Sequence, residues 1–247
     1  MLRNLKQVSA LLLIATLAAC GGGGGGGANS QPTDPNISFN IDSALKNYFT
    51  QSYSKNVVIT TVNLNNLSGT GTITKTVTPG ITTQWYSYQQ GNCGDVSSAL
   101  TRVVDSLSIR FNTGQTDTSS STSYFSSSGR PYIYDSLTVY SYTQPPTAAK
   151  VGTESHYLSA TDAPDYYIKS LPGVPCISTQ RLLKSAEVRW ALRPDSGGNA
   201  MLVLTDSSFD RGTFITDSYL LINPAGTILS RKYESYELGS SGRILVE

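Results

Sequence analysis

The 247 residues carry 18 basic and 17 acidic side chains, a formal charge of +1, with one histidine and three cysteines. Lys and Arg form no cluster, which excludes the electrostatic footprint of a nucleic-acid binder or of a protein held to an anionic membrane by charge. Fifteen tyrosines, with many Thr, Ser and Val and only 14% charged residues, favour strands over helices.

Residues 1–19 divide into a basic start with Arg3 and Lys6, an apolar run Leu11-Leu12-Leu13-Ile14-Ala15-Thr16, and a small-residue end Leu17-Ala18-Ala19 before Cys20. This is the grammar of a secretory signal. Its apolar stretch is shorter than the ~20 residues a permanent membrane helix needs. Leu17-Ala18-Ala19-Cys20 closely resembles the lipobox of bacterial lipoproteins. That resemblance implies cleavage before Cys20, diacylglycerol on its thiol, and a lipidated N-terminus. Cleavage deletes Arg3 and Lys6 from the 18 basic residues and leaves 16 against 17 acidic ones. Several acyl chains, at about 0.8 kcal/mol per buried methylene, make such an anchor almost permanent.

Residues 20–36 form the tether, where Gly21 to Gly27 run unbroken into Ala28-Asn29-Ser30-Gln31-Pro32. Glycine supplies the slack that lets a folded domain stand clear of lipid headgroups. In the lipoprotein family an aspartate beside the lipidated cysteine retains the protein in the inner membrane. Gly21 stands there, so the resemblance implies the outer membrane, with its periplasmic and surface faces both open.

Residues 37–247 are expected to form a single exported domain. Asn40 or Asp42 can cap a short helix that places Ile41, Ala44, Leu45, Tyr48 and Phe49 on one face, a stripe suited to packing on a sheet. The period then changes to two. Val57 to Leu64 predicts a strand, Gly71 to Val77 its return, and Pro79-Gly80 a turn into Ile81–Tyr88, a three-strand meander. From Val96 to Phe111 the signals conflict: Val96, Leu100, Val103, Val104 and Leu107 have helical spacing, whereas Leu107, Ile109 and Phe111 alternate. A short helix running into a strand satisfies both.

Residues 112–130, dominated by Ser, Thr, Asn and Gly, predict a long polar loop or an edge hairpin. Tyr132 to Tyr142 predicts a strand stopped by Pro145-Pro146, and residues 147–180 read as loop-rich. Ala186–Leu192, Ala200–Leu204, Thr213–Ile222, Thr227–Glu237 and Ile244–Val246 then read as successive antiparallel strands with Gly- and Pro-bearing turns between them. The resemblance between the Gly71–Tyr88 and Gly212–Tyr236 segments is ordinary hairpin grammar or a short duplication.

With Cys20 committed to lipid, Cys93 and Cys176 are the remaining thiols, and in an oxidising compartment they are expected to pair. Closing that loop would stabilise the fold by roughly 4.5 kcal/mol in the chain-entropy description. A metal or nucleophilic centre lacks its partners, since His156 is the one histidine and no Gly-x-Ser-x-Gly elbow accompanies Glu154-Ser155-His156. The carboxylate pairs Asp162/Asp165 and Asp206/Asp210 lack the spacing of a calcium loop and suit turns. No phosphate loop, dinucleotide fingerprint or heme motif is present, so no cofactor is expected.

The aromatic residues Trp85, Tyr86, Tyr88, Tyr132, Tyr134, Tyr140 and Tyr142 stand out, because positions i and i+2 share a strand face. Such rows either pack across strands or line a groove for glycan, peptide or lipid. The expectation is therefore a mainly β domain, an antiparallel sandwich or half-open barrel with a short N-terminal amphipathic helix. It is expected to act on the outer membrane as a non-enzymatic binding or envelope-assembly module whose partner is another envelope protein, a glycan or a lipid. A half-barrel carrier of an apolar ligand is the alternative, and an envelope hydrolase the third reading.

Overall fold

The computed structural model describes residues 34–63, 67–89, 92–135, 137–161, 184–209, 213–238 and 241–247, with the backbone alone for 82–89, 92–98, 138 and 140. In chain order the elements are β1 (Ser38–Phe39), α1 (Ile41–Thr50), β2 (Tyr53–Val62), β3 (Ser68–Gln89), β4 (Asn92–Phe111) and β5 (Thr116–Phe125). There follow β6 (Pro131–Tyr134), β7 (Leu137–Tyr142), β8 (Ala149–Lys150), β9 (Glu154–Thr161) and β10 (Ser185–Pro194). The chain ends with β11 (Ala200–Phe209), β12 (Thr213–Ile222), β13 (Ile228–Glu237) and β14 (Arg243–Val246).

Twelve of these strands pair antiparallel in chain order, β8 being left out, and the ring closes where β14 pairs with β2. The mainly β antiparallel fold with a short N-terminal helix is the one the alternation predicts. Of the two arrangements open to it, the barrel forms, and its ring closes: each strand pairs with two neighbours over at least part of its length, while β3 beyond Lys75, β4 before Thr101 and the first eight residues of β5 are paired on one side only.

The helix starts where expected. Asn40 has extended backbone angles and its Oδ1 accepts the Ser43 N–H at 2.9 Å, while the Asn40 carbonyl accepts the Ala44 N–H. Its apolar stripe, Ile41, Ala44, Leu45, Tyr48 and Phe49, is buried. The partners show where: Tyr48 and Phe49 touch side chains from β3, β5, β6, β9, β12 and β13, strands from all round the ring. The helix therefore turns its apolar face into the barrel, instead of onto one sheet, and plugs it, with Lys46 exposed on the opposite face and its first residues held by Pro146 and Pro224. Strand residues complete one continuous core, among them Val57, Ile59, Leu107, Ile109, Val188, Trp190, Leu192, Leu202, Leu204, Leu220 and Ile222. Each such side chain contributes about 1.5–3 kcal/mol when buried.

Four local expectations are corrected. The Pro79-Gly80 pair does not end a strand. β3 runs through it with a register shift between Thr78 and Ile81, so a bulge replaces the turn and two long strands replace the meander. Proline cannot donate to the ladder and Gly80 has φ +71°, which suits a bulge as well as a reversal. Residues 92–111 contain no helix. Residues 116–125 take the second of their two readings, an edge hairpin: β5 pairs with β4 along its whole length but with β6 only at Tyr124 and Phe125. Within the loop-rich stretch, β9 is an eight-residue strand that pairs with β7 and β10. The Tyr132–Tyr142 strand is a hairpin, β6 and β7, turning at Asp135 with φ +47°. The five strands expected after residue 185 all form.

Candidate functional site

Two regions concentrate chemistry, one on the outside of the wall and one within the lumen.

The outer region lies on β3, β4 and β5. Register places Thr72, Ser108 and Thr118 side by side, and Thr74, Ser106 and Ser120 in the next row. These six hydroxyls line an open groove of about 320 Å³. They point outward because the alternate residues, Leu107 and Ile109 on β4 and Ile73 on β3, pack inward. Further rows extend the same face: Thr76, Val104 and Thr122, then Thr78, Arg102 and Tyr124 toward one end, and Thr70, Arg110 and Thr116 toward the other. The fifteen positions hold eleven Ser or Thr and no carboxylate, and the only charges are the exposed arginines Arg102 and Arg110. Hydroxyls repeat at ~4.8 Å across the strands and ~6.8 Å along them. Thr72 Oγ1 donates to Asn56 Oδ1 at 3.1 Å, which carries the polar surface onto β2.

The lumen holds a polar cluster around the C-terminal end of α1. Tyr48 OH and Ser218 Oγ are 2.9 Å apart, Tyr134 OH donates to Asp206 Oδ2 at 2.5 Å, and Lys75 Nζ lies 3.2 Å from Asp105. Lys75 Nζ and the Arg231 guanidinium sit over the Tyr48 ring at 4.9 and 5.5 Å. Burial pushes the Tyr48 hydroxyl up to about 12 and the Asp206 carboxyl up to about 7, and it lowers Lys75 against the opposing pull of Asp105. Among the described residues three buried polar atoms have no protein partner: Trp190 Nε1, Asp206 Oδ1 and one Arg231 nitrogen.

A smaller outer feature pairs Arg243 with Glu234, a carboxylate only 2% exposed, and sets the Arg243 guanidinium 5.1 Å from the Tyr236 ring. It ties β13 to β14, next to the β14–β2 pairing that closes the ring.

The aromatic residues singled out from the sequence are distributed among these regions. Tyr134 turns into the lumen, edge-on to Phe49 at 6.0 Å. Tyr142 packs edge-on against Tyr157 at 5.5 Å, and its hydroxyl donates to Gln144. Arg130 lies between Tyr132 and Tyr142, at 5.7 and 5.8 Å from their rings. The side chains of Trp85, Tyr86, Tyr88 and Tyr140 lie outside the described residues, as do Cys20, Cys176, Asp162, Asp165 and Asp210. Cys93 is described in backbone only, opposite Tyr88 near the tip of the β3–β4 hairpin, so its pairing with Cys176 lies outside the description too. His156 contacts Ser159 Oγ at 2.8 Å and Thr143 Oγ1 at 3.2 Å, a hydroxyl on each ring nitrogen.

Sequence reasoning missed both regions. The groove was hidden in a Ser/Thr run that resembles a loop, and its signal is that Thr116, Thr118, Ser120 and Thr122 sit at period two beside an apolar-alternating strand. Comparison with protein-family models, with curated proteins and with solved structures finds no match for this chain.

Proposed function

We propose that this chain is a lipid-anchored, non-enzymatic binding module of the bacterial cell envelope, and that a glycan chain lies in the β3–β5 groove. The observation that carries this reading is the open, carboxylate-free face of regularly spaced hydroxyls. Sugar hydroxyls and Ser/Thr hydroxyls each donate and accept, so rows of the latter can follow a polyhydroxylated chain along the strands. Binding sites need a few converging polar groups on a rigid support, and the barrel ladder of β2, β3 and β4 supplies the support, with β5 laid along its edge. The filled lumen favours this over the carrier reading: where a half-barrel would take its acyl chain, α1 and its aromatic partners occupy the space.

The test is binding of purified mature protein to arrayed envelope glycans, followed by calorimetry with the best of them. Ser108→Trp fills the middle of the groove from an exposed position. It is expected to weaken binding at least tenfold while moving stability by only about 0.5 kcal/mol. Absence of glycan binding by the unaltered protein, or unchanged affinity in the tryptophan variant, would remove the proposal.

The anchor is tested separately. Cys20→Ser is expected to shift the protein from the membrane fraction to the soluble fraction. Mass spectrometry of the mature protein is expected to find diacylglycerol on Cys20, and an unmodified thiol there would remove the anchor.

A further inference from the structure

Beside Asp206 the lumen contains a cavity of about 10 Å³ bounded by Tyr48 and Phe49 of α1, Tyr134 of β6, Val188 of β10, Leu204 of β11, and Thr216 and Ser218 of β12. A volume of that size admits one water, which needs two to four polar partners. The wall offers them in Asp206 Oδ1, Thr216 Oγ1 and the Tyr48–Ser218 hydroxyl pair. Oδ1 is sealed from solvent without a protein partner, whereas Oδ2 is held by Tyr134. A neutral carboxyl tolerates this site. An ionised one has a full charge answered by the Tyr134 hydroxyl and one enclosed water, and it gains a full hydration shell only if the wall formed by Tyr48 and Phe49 moves away.

We propose that α1 is a pH-responsive plug: it is seated in the barrel while Asp206 is protonated and is loosened when that carboxyl ionises, because the helix supplies the wall that keeps bulk solvent from Oδ1. Unseating would open the lumen while the N-terminal segment before α1 stays pinned by the pairing of β1 with β8.

The neighbouring charges set the sign. Burial is the main cause that raises Asp206 to about 7; Asp135 at the exposed β6–β7 turn adds to the shift and the Tyr134 hydrogen bond opposes it. The group binds its proton more tightly in the seated state than in water. Its stabilising effect is complete below about 4, the ordinary carboxylate range, and is lost as pH rises through about 7. Asp135 is raised too and acts in the same direction. Lys75, lowered by burial, acts in the opposite direction, and it is held by Asp105. Tyr48 and Tyr134 are raised and do not titrate in this window, and the Arg231 guanidinium faces the same cluster over the Tyr48 ring.

The experiment is hydrogen exchange of the full mature protein between pH 5 and pH 8, reported as protection factors so that intrinsic rates cancel. Protection of the α1 amides is expected to fall roughly 50-fold between pH 5 and pH 7, while the β10–β12 amides change little. Asp206→Asn is expected to flatten the α1 profile, and Asp135→Asn to keep the fall. An α1 profile in the unaltered protein that is constant within twofold would overturn the proposal, even if the asparagine variant fails to fold. So would an Asp206→Asn profile that still falls, or an Asp135→Asn profile that does not.

Discussion

Phe49→Ala is expected to lower the free energy of unfolding by about 3–5 kcal/mol, measured by guanidinium denaturation followed by far-ultraviolet circular dichroism. Phe49 is 5% exposed at the centre of an aromatic cluster: Tyr48 lies edge-on at 4.9 Å, Tyr157 stacks at 5.3 Å, Phe125 stacks at 5.6 Å and Tyr134 approaches edge-on at 6.0 Å. Removing the ring loses its own transfer free energy and leaves a void walled by four aromatic rings. The surrounding strands are closed into a ring and cannot collapse into that void as the edge of an open sheet could. The companion variant Gln51→Ala, at the exposed C-terminal cap, is expected to cost less than about 0.5 kcal/mol. A loss at Phe49 no larger than that at Gln51 would mean that α1 does not occupy the lumen.

The same helix shows what was legible in the sequence. Its stripe of Ile41, Ala44, Leu45, Tyr48 and Phe49 has the period of a helix and its Asn40 cap is local, so position and length could be read from neighbours in the chain. What the stripe packs against could not, because six strands distributed over the next 180 or so residues supply its partners and only register brings them together. Strand β4 failed for another reason. Leu100 and Val103 are both buried although they fall on alternate faces. The bulge at Pro79-Gly80 lies between them in the ladder, and bulges add twist and re-aim side chains. Burial on both sides of that bend imitates the spacing of a helix.

The lumen acid was hidden by the limits of apolar patterning. β11 reads as a strand only as far as Leu204, where the apolar residues stop. The ladder continues to Phe209 and carries Asp206 inward, opposite Thr216 and Val188. A polar residue can occupy that inward position because Tyr134, from another hairpin, offers a hydroxyl at 2.5 Å, a partner invisible in the local sequence. The hydroxyl groove shares this origin. Each of its rows joins three strands, and a Ser/Thr run becomes a surface only once its neighbours are known.

Gly71→Val is expected to destabilise the protein by about 3 kcal/mol or more and to weaken groove binding along with it. A Cβ built on Gly71 would stand 2.3 Å from the Ser108 carbonyl oxygen and 3.2 Å from Ile109 Cα. Both obstacles are backbone, so no rotamer change relieves them and the β3–β4 ladder itself must shift. That shift would displace Thr72 and Ser108, which flank the contact and line the groove. The appropriate comparison is Gly80→Ala at the bulge. There φ is +71° but nothing lies within 4 Å of the added carbon, so the cost is only the left-handed backbone penalty of roughly 1–2 kcal/mol. The two substitutions thus separate a steric requirement for glycine from a conformational one, and denaturation midpoints of the pair measure the difference directly. Equal midpoints would mean that β3 and β4 do not approach as closely as 2.3 Å implies, and the groove would lose the rigid floor on which its hydroxyl spacing depends.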